Sequence, residues 1–157
     1  MKIRNEISTN FKKYEYDTNS KILLNICNTI DYNITDSNVF YSRFYTKIEK
    51  EFNKSNYKHK FGDINFCNIF TYHIVCNMFC VEWPKSYYNM IPFKLNYFKK
   101  CCIKLNTYIL ENNIKYVLSP IFGTEILQGN WKDIINTMND IFPKDITYII
   151  FRYNGNK

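Results

Sequence analysis

The residues best suited to chemistry lie between Ser119 and Trp131, in the run SPIFGTEILQGNW. Two of the chain's four glycines, Gly123 and Gly129, fall in this stretch. Tyr116–Leu118 just before it reads as a short apolar strand. Pro120 marks the exit from that strand, and Asn130 stands where a helix would begin. A strand feeding a glycine-containing loop and a helix N-terminus gathers backbone N–H groups, and the helix dipole favours an anion there. The chemistry implied is the holding of a phosphate ester. Gly123, Thr124, Ile126, Gln128 and Gly129 would supply amides, with Pro120, Phe122, Glu125 and Leu127 completing the candidate loop. A plain strand–loop–helix connection would use the same residues. In open α/β sheets, however, ligands collect beyond the carboxyl ends of the strands, and this loop leaves such an end.

The composition narrows the setting. A chain of 157 residues suits one domain, 1–157, with a core of its own. The N-terminal MKIRNEISTN lacks the apolar run of a signal peptide, and no stretch is long and apolar enough to span a bilayer, so no membrane partner is expected. Six cysteines are scattered through apolar segments without CxxC spacing, and His59 and His73 stand far apart. A metal site and a bound cofactor are therefore not expected, and the cysteines read as buried reduced thiols of a cytoplasmic protein. The net charge of +7 points to an anionic partner. The lysines occur at most in pairs such as Lys12-Lys13, so a nucleic-acid face is an open alternative that nothing signals. Alanine is absent while Asn, Ile, Lys, Tyr and Phe abound. That bias follows AT-rich codons and suggests a phage, a large DNA virus or a low-GC bacterium, in the viral case acting in the host cytoplasm.

The elements that must position the loop follow from periodicity. Met1–Ile7 alternates weakly, as an edge strand does. Ser8–Ser20 is a polar loop or short helix. Lys21–Asn28 is a compact apolar run suited to a strand covered on both faces. Thr29–Asn38 is loop-like. Phe40, Phe44, Ile48 and Phe52 recur at four-residue spacing and predict a helix over 39–52, capped by Asp36 or Ser37. Phe61-Gly62-Asp63 reads as a turn, and Phe66–Val81 as one or two strands ended by Trp83-Pro84. Pro92–Asn113 reads as a helix with a stripe of Leu95, Phe98, Cys102, Leu105 and Ile109. Asn130 caps a helix whose core face is Trp131, Ile134, Ile135, Met138, Ile141 and Phe142, with Pro143 as its stop. Ile146–Tyr153 is the last strand. The order predicts a mixed sheet layered between helices.

Four segments in this order resemble the macrodomain family, in particular its phage and yeast ADP-ribose-1''-phosphate processing members and its ADP-ribosyl-glutamate hydrolases. They are Asn5-Glu6-Ile7, Ile22–Asn28, Phe61-Gly62-Asp63-Ile64 with Ile74–Phe79, and Ser119-Pro120-Ile121-Phe122-Gly123 through Trp131. The resemblance implies a three-layer α/β/α sandwich that binds ADP-ribose or a related NAD-derived nucleotide across the crest of a mixed sheet. It implies that Glu6 and Ile7 meet the adenine, that Asn28 orients a ribose hydroxyl or a water, that Ser37 and Asn38 approach the phosphates, and that the 120–129 loop wraps the diphosphate and distal ribose. Two departures stand out. The family's first phosphate loop is glycine-rich, whereas Asp36, Ser37 and Asn38 stand here, and side chains crowd a phosphate where glycine would not. The hydrolases' lysine and aspartate align with Asn77 and Leu127, neither of which can serve as a base or nucleophile. No catalytic residue is assigned. The expectation is a protein that binds or sequesters the nucleotide, in a viral setting against an NAD-derived defence signal. An ADP-ribose-1''-phosphatase or mono-ADP-ribosyl hydrolase, and a degenerate macrodomain working through protein or nucleic-acid contacts, are the alternatives.

Overall fold

A computed structural model of the chain describes residues 1–7, 11–15, 17–27, 50, 59–70, 72–82, 92–122 and 128–152. Its elements are β1 (Lys2–Ile7), α1 (Lys12–Glu15), β2 (Lys21–Cys27), β3 (Ile64–Phe70), β4 (His73–Phe79), α2 (Leu95–Glu111), β5 (Tyr116–Pro120), α3 (Trp131–Ile141) and β6 (Thr147–Arg152). The expected helix over 39–52 with its cap at Asp36 or Ser37, and Trp83-Pro84, lie outside the described residues apart from Lys50.

Six strands form one sheet in the order β1-β6-β5-β2-β4-β3. All neighbouring pairs are parallel except β3 with β4, so the sheet is mixed as expected. β2 sits at its centre, paired on one side with β4 and on the other with β5. Every residue of β2 is buried, which the continuous apolar run foretold. Phe66–Val81 resolves into the hairpin of β3 and β4.

Strand side chains alternate between two apolar layers. Ile22, Leu24 and Ile26 of β2 join Phe98, Cys101, Cys102 and Leu105 of α2 and Ile134 and Met138 of α3 on one face. Leu23 and Cys27 join Val75, Phe79, Leu118, Ile149 and Phe151 on the other, where Phe11 packs with them. Phe11 and Tyr14 set their rings edge-on to Phe151 at 5.5 and 5.6 Å. The sheet is thus the middle layer, with a core on each face. All six cysteines are buried thiols outside any disulfide, and burial raises the Cys76, Cys80 and Cys102 thiols well above their usual range.

Two boundaries differ from expectation. Pro92 precedes α2 rather than opening it, because Val81 and Phe93 form a short antiparallel bridge before the helix begins. Leu95 is 39% exposed and leaves the stripe, where Cys101 takes a place. Leu95 is the first residue of the helix, so no preceding turn helps to cover it.

Two buried basic side chains of the sheet, Lys21 and His73, are held by backbone carbonyls. Lys21 is fully enclosed, and its Nζ donates to the carbonyls of Asn19 at 2.6 Å and Asp17 at 3.2 Å, beside the Asp17 carboxylate at 3.3 Å. His73, its neighbour across β2 and β4, is buried, with Nε2 2.6 Å from the Tyr14 carbonyl oxygen. A carbonyl only accepts, so Nε2 carries the proton. His73 is a core histidine. Gly62 has φ +84°, and a Cβ there would stand 3.0 Å from Lys100 Cδ. Its N–H donates to the Phe79 carbonyl at 2.8 Å, fastening the turn to the carboxyl end of β4.

Burial holds the His73 pKa below its ordinary 6.5, against the opposing hydrogen bond to Tyr14. The unfolded chain therefore takes up this proton first, and stability should decline as pH falls from about 6.5 through the lower folded value. Thermal melts between pH 7.5 and 5 should show that decline, and His73→Gln should flatten it. Gly62→Ala should cost about 1–2 kcal/mol from its left-handed backbone, read as a lower urea midpoint with unchanged slope.

Candidate functional site

The five parallel strands run the same way, so Ile7, Cys27, Phe79, Pro120 and Arg152 end on one rim. At that rim β2 and β5 are neighbours whose connections diverge. The chain leaving β2 goes on to β3 and β4 on one side, while the chain leaving β5 goes through α3 to β6 on the other. This is a topological switch point, the place where open α/β sheets leave a crevice above the strand ends. Residues 28 onward and 121–130 both start from it. Asn28, Ser37, Asn38, Gly123, Thr124, Glu125, Ile126 and Leu127 themselves lie outside the described residues.

The second segment is closed at its base. Phe122 is 1% exposed, and its ring meets Trp131 edge-on at 5.5 Å and Phe98 at 5.6 Å. The first and last residues of the loop are thereby clamped together over α2. The Phe122 ring belongs to the core. Gln128, with φ +57°, bends the chain through the left-handed region before Gly129 and Asn130. Asn130 caps α3 as expected, its Oδ1 accepting from the N–H groups of Lys132 at 2.9 Å and Asp133 at 3.3 Å. Two of the helix's four unpaired donors are thus spent on the cap. Asp133 also places a carboxylate in the first turn. The cap and this carboxylate leave the N-terminus of α3 little to offer an anion.

Glu6 lies on the same row. It is in register with Phe151, which is in register with Pro120. Adjacent strands stand about 4.8 Å apart, so Glu6 is two strand spacings, about 10 Å, from the exit of β5. Glu6 keeps 23% of its side chain exposed and accepts from the Tyr14 hydroxyl at 3.2 Å, with Arg4 Nε at 3.6 Å. Tyr14 in turn accepts from Arg4 Nη2 at 2.8 Å. Burial raises the Tyr14 hydroxyl, which Arg4 offsets in part, and so it stays protonated and donates. Ile7, 41% exposed, ends β1 beside Arg152. Arg152 donates from Nε to Asn5 Oδ1 at 3.1 Å and brings a cation to the rim.

On the far side of β5 the row continues as amides. Asn25 Nδ2 donates to Asn77 Oδ1 at 2.8 Å, and Asn77 Nδ2 donates to Asn65 Oδ1 at 2.9 Å. Asn77 is fully buried in this ladder and is structural. Asp63 serves packing too: it pairs with Lys104 of α2, and its carbonyl accepts from Phe79 N–H at 3.0 Å and Cys101 Sγ at 3.3 Å.

Sequence reasoning missed Tyr14, Arg152 and the ladder. The ladder had a signal: Asn25 and Asn77 interrupt apolar runs at the phase of Leu23 and Val75, and a buried strand amide needs a partner. Tyr14 and Arg152 had none, because their role depends on which strands become neighbours.

No family model and no curated relative matches the sequence. Solved structures do match. A protein from Bacteroides thetaiotaomicron superposes with TM-score 0.75 at 16% identity, over 96% of this chain and 98% of its own. A macrodomain protein from Streptomyces coelicolor gives 0.73 at 15% identity, over 99% of this chain and 100% of its own. The macrodomain of Thermus aquaticus DarG gives 0.59 at 12% identity, over 96% and 97%. The agreement spans nearly the whole chain: this chain has the macrodomain fold.

Proposed function

We propose that the protein binds an ADP-ribose-type nucleotide across the rim of the sheet and holds it without turning it over. The observation that carries this reading is the shared switch point of β2 and β5, from which both candidate loops rise. Glu6 at one end of the row gives an acceptor for an exocyclic amine. The segment between Phe122 and Asn130, whose ends meet through the Phe122 and Trp131 rings, would supply amides for a diphosphate, and Arg152 adds a cation at the same rim. The spacing of about 10 Å between Glu6 and the exit of β5 suits a base and a diphosphate held at opposite ends of one ligand.

The choice of binding over hydrolysis rests on the residues aligned with the family's catalytic pair. Asn77 is locked between Asn25 and Asn65 and has no titratable amine. Leu127 offers no carboxylate. In a viral host such a protein would act by removing an NAD-derived signal from solution, in the cytoplasm where that signal forms.

Titration calorimetry with ADP-ribose should give a dissociation constant on the order of micromolar, about −8 kcal/mol. Glu6→Ala should weaken it by about 1.5–3 kcal/mol, tenfold or more, because the lost hydrogen bond is to a charged group. AMP alone should retain the Glu6 dependence and lose the loop's share. Absence of heat at high micromolar ligand would remove the reading, and release of phosphate from ADP-ribose-1''-phosphate would replace it with the enzymatic one.

A further inference from the structure

Among the described residues β1 is the outer strand of the sheet beyond β6, and five of its six residues are exposed. Such a strand presents a row of unpaired backbone groups and is usually blunted or covered. Here it carries two large apolar side chains, Ile3 at 46% and Ile7 at 41% exposure, on the same side of the strand. The phase of its ladder is fixed by Lys2, whose N–H donates to the Ile146 carbonyl at 2.7 Å. In a parallel pair alternate residues bond to the neighbour, so Lys2, Arg4 and Glu6 turn their backbone groups to β6. Ile3, Asn5 and Ile7 turn theirs to the open edge.

We propose that this edge pairs with the same edge of a second copy, antiparallel, about a two-fold axis through Asn5. The strand KIRNEI is self-complementary in that register and in no adjacent one. Ile3 falls opposite Ile7 of the second copy, Asn5 opposite Asn5, and Arg4 opposite Glu6. The register agrees with the backbone phase. Ile3, Asn5 and Ile7 are the residues whose amides face outward, and they become the hydrogen-bonded pairs. Arg4 and Glu6 become the closer, non-hydrogen-bonded pairs, where opposite charges help most. The apolar contacts lie on one side of the joined sheet and the ion pairs on the other. A shift by one residue would set Ile3 against Glu6 and Arg4 against Asn5, and would bring inward-facing amides to the interface. The contact is isologous, as a closed dimer requires.

Sedimentation of the full chain across a concentration series tests this. The expected result is a species of twice the 19.0 kDa protomer mass, growing with concentration. Arg4→Glu and Glu6→Arg should each sediment as a monomer, since each sets like charges opposite one another twice. An equimolar mixture of the two variants should dimerise again, because every opposed pair is then attractive. Asn5→Pro removes an outward N–H without touching the β6 ladder, and should give a monomer with a retained cooperative melt. A wild-type protomer mass at every soluble concentration would overturn the proposal. So would a dimer that all three substitutions leave intact, or variants that stay monomeric when mixed.

Discussion

The structure depends on the burial of β2. A strand covered on both faces and paired on both edges has no outlet to water, so every polar group it carries must be answered inside the protein. β2 carries two polar side chains, Lys21 at its start and Asn25 near its end. Lys21 is answered by the carbonyls of Asp17 and Asn19, which ties down the segment that leads into the strand. Asn25 is answered by Asn77 and, through it, Asn65, which fixes β2, β4 and β3 in register. A slip of one residue in either pairing would strand an amide or an ammonium in apolar surroundings. These groups add little net stability, but they specify one alignment.

That alignment sets the site. With β2 and β5 held side by side, the chain leaving one goes on to strands on the opposite side of the sheet from the chain leaving the other, so the switch point follows from strand order rather than from any single residue. Phe122 and Trp131 then close the base of the β5 loop on the core. Tyr14 and Arg4 orient Glu6 at the other end of the row. The rim is therefore held from below by three separate devices: an aromatic clamp, a hydroxyl shared between a guanidinium and a carboxylate, and an amide ladder. None of them requires a ligand to be in place.

Local pattern carried the elements into view in the sequence. The run KILLNIC, the stripe around Phe98 and Leu105, and Asn130 before an apolar helix face are short-range signals set by burial and capping, and they correspond to β2, α2 and α3. Leu95 and Pro92 failed because helix ends answer to tertiary contacts rather than to periodicity. The neighbours of each strand were not legible, since strands far apart in sequence meet only in the fold. Glu6 and Pro120 could be read as candidates from their resemblance to a family, but not the Phe151 that joins them or the Tyr14 that holds Glu6. Phe122 illustrates the reverse: its place in the loop suggested a ligand contact, and its ring is a core ring.

The composition makes these distinctions harder to draw from sequence and clearer in the structure. In a chain so rich in asparagine, any one Asn says little about function. Three of them nonetheless align across three strands and hydrogen-bond in a row, with Asn77 the middle one. A lysine at that position would have to point out of the ladder or break it, leaving the amides of Asn25 and Asn65 without their partner. Asn77 is thereby committed to holding β2, β4 and β3 in one register.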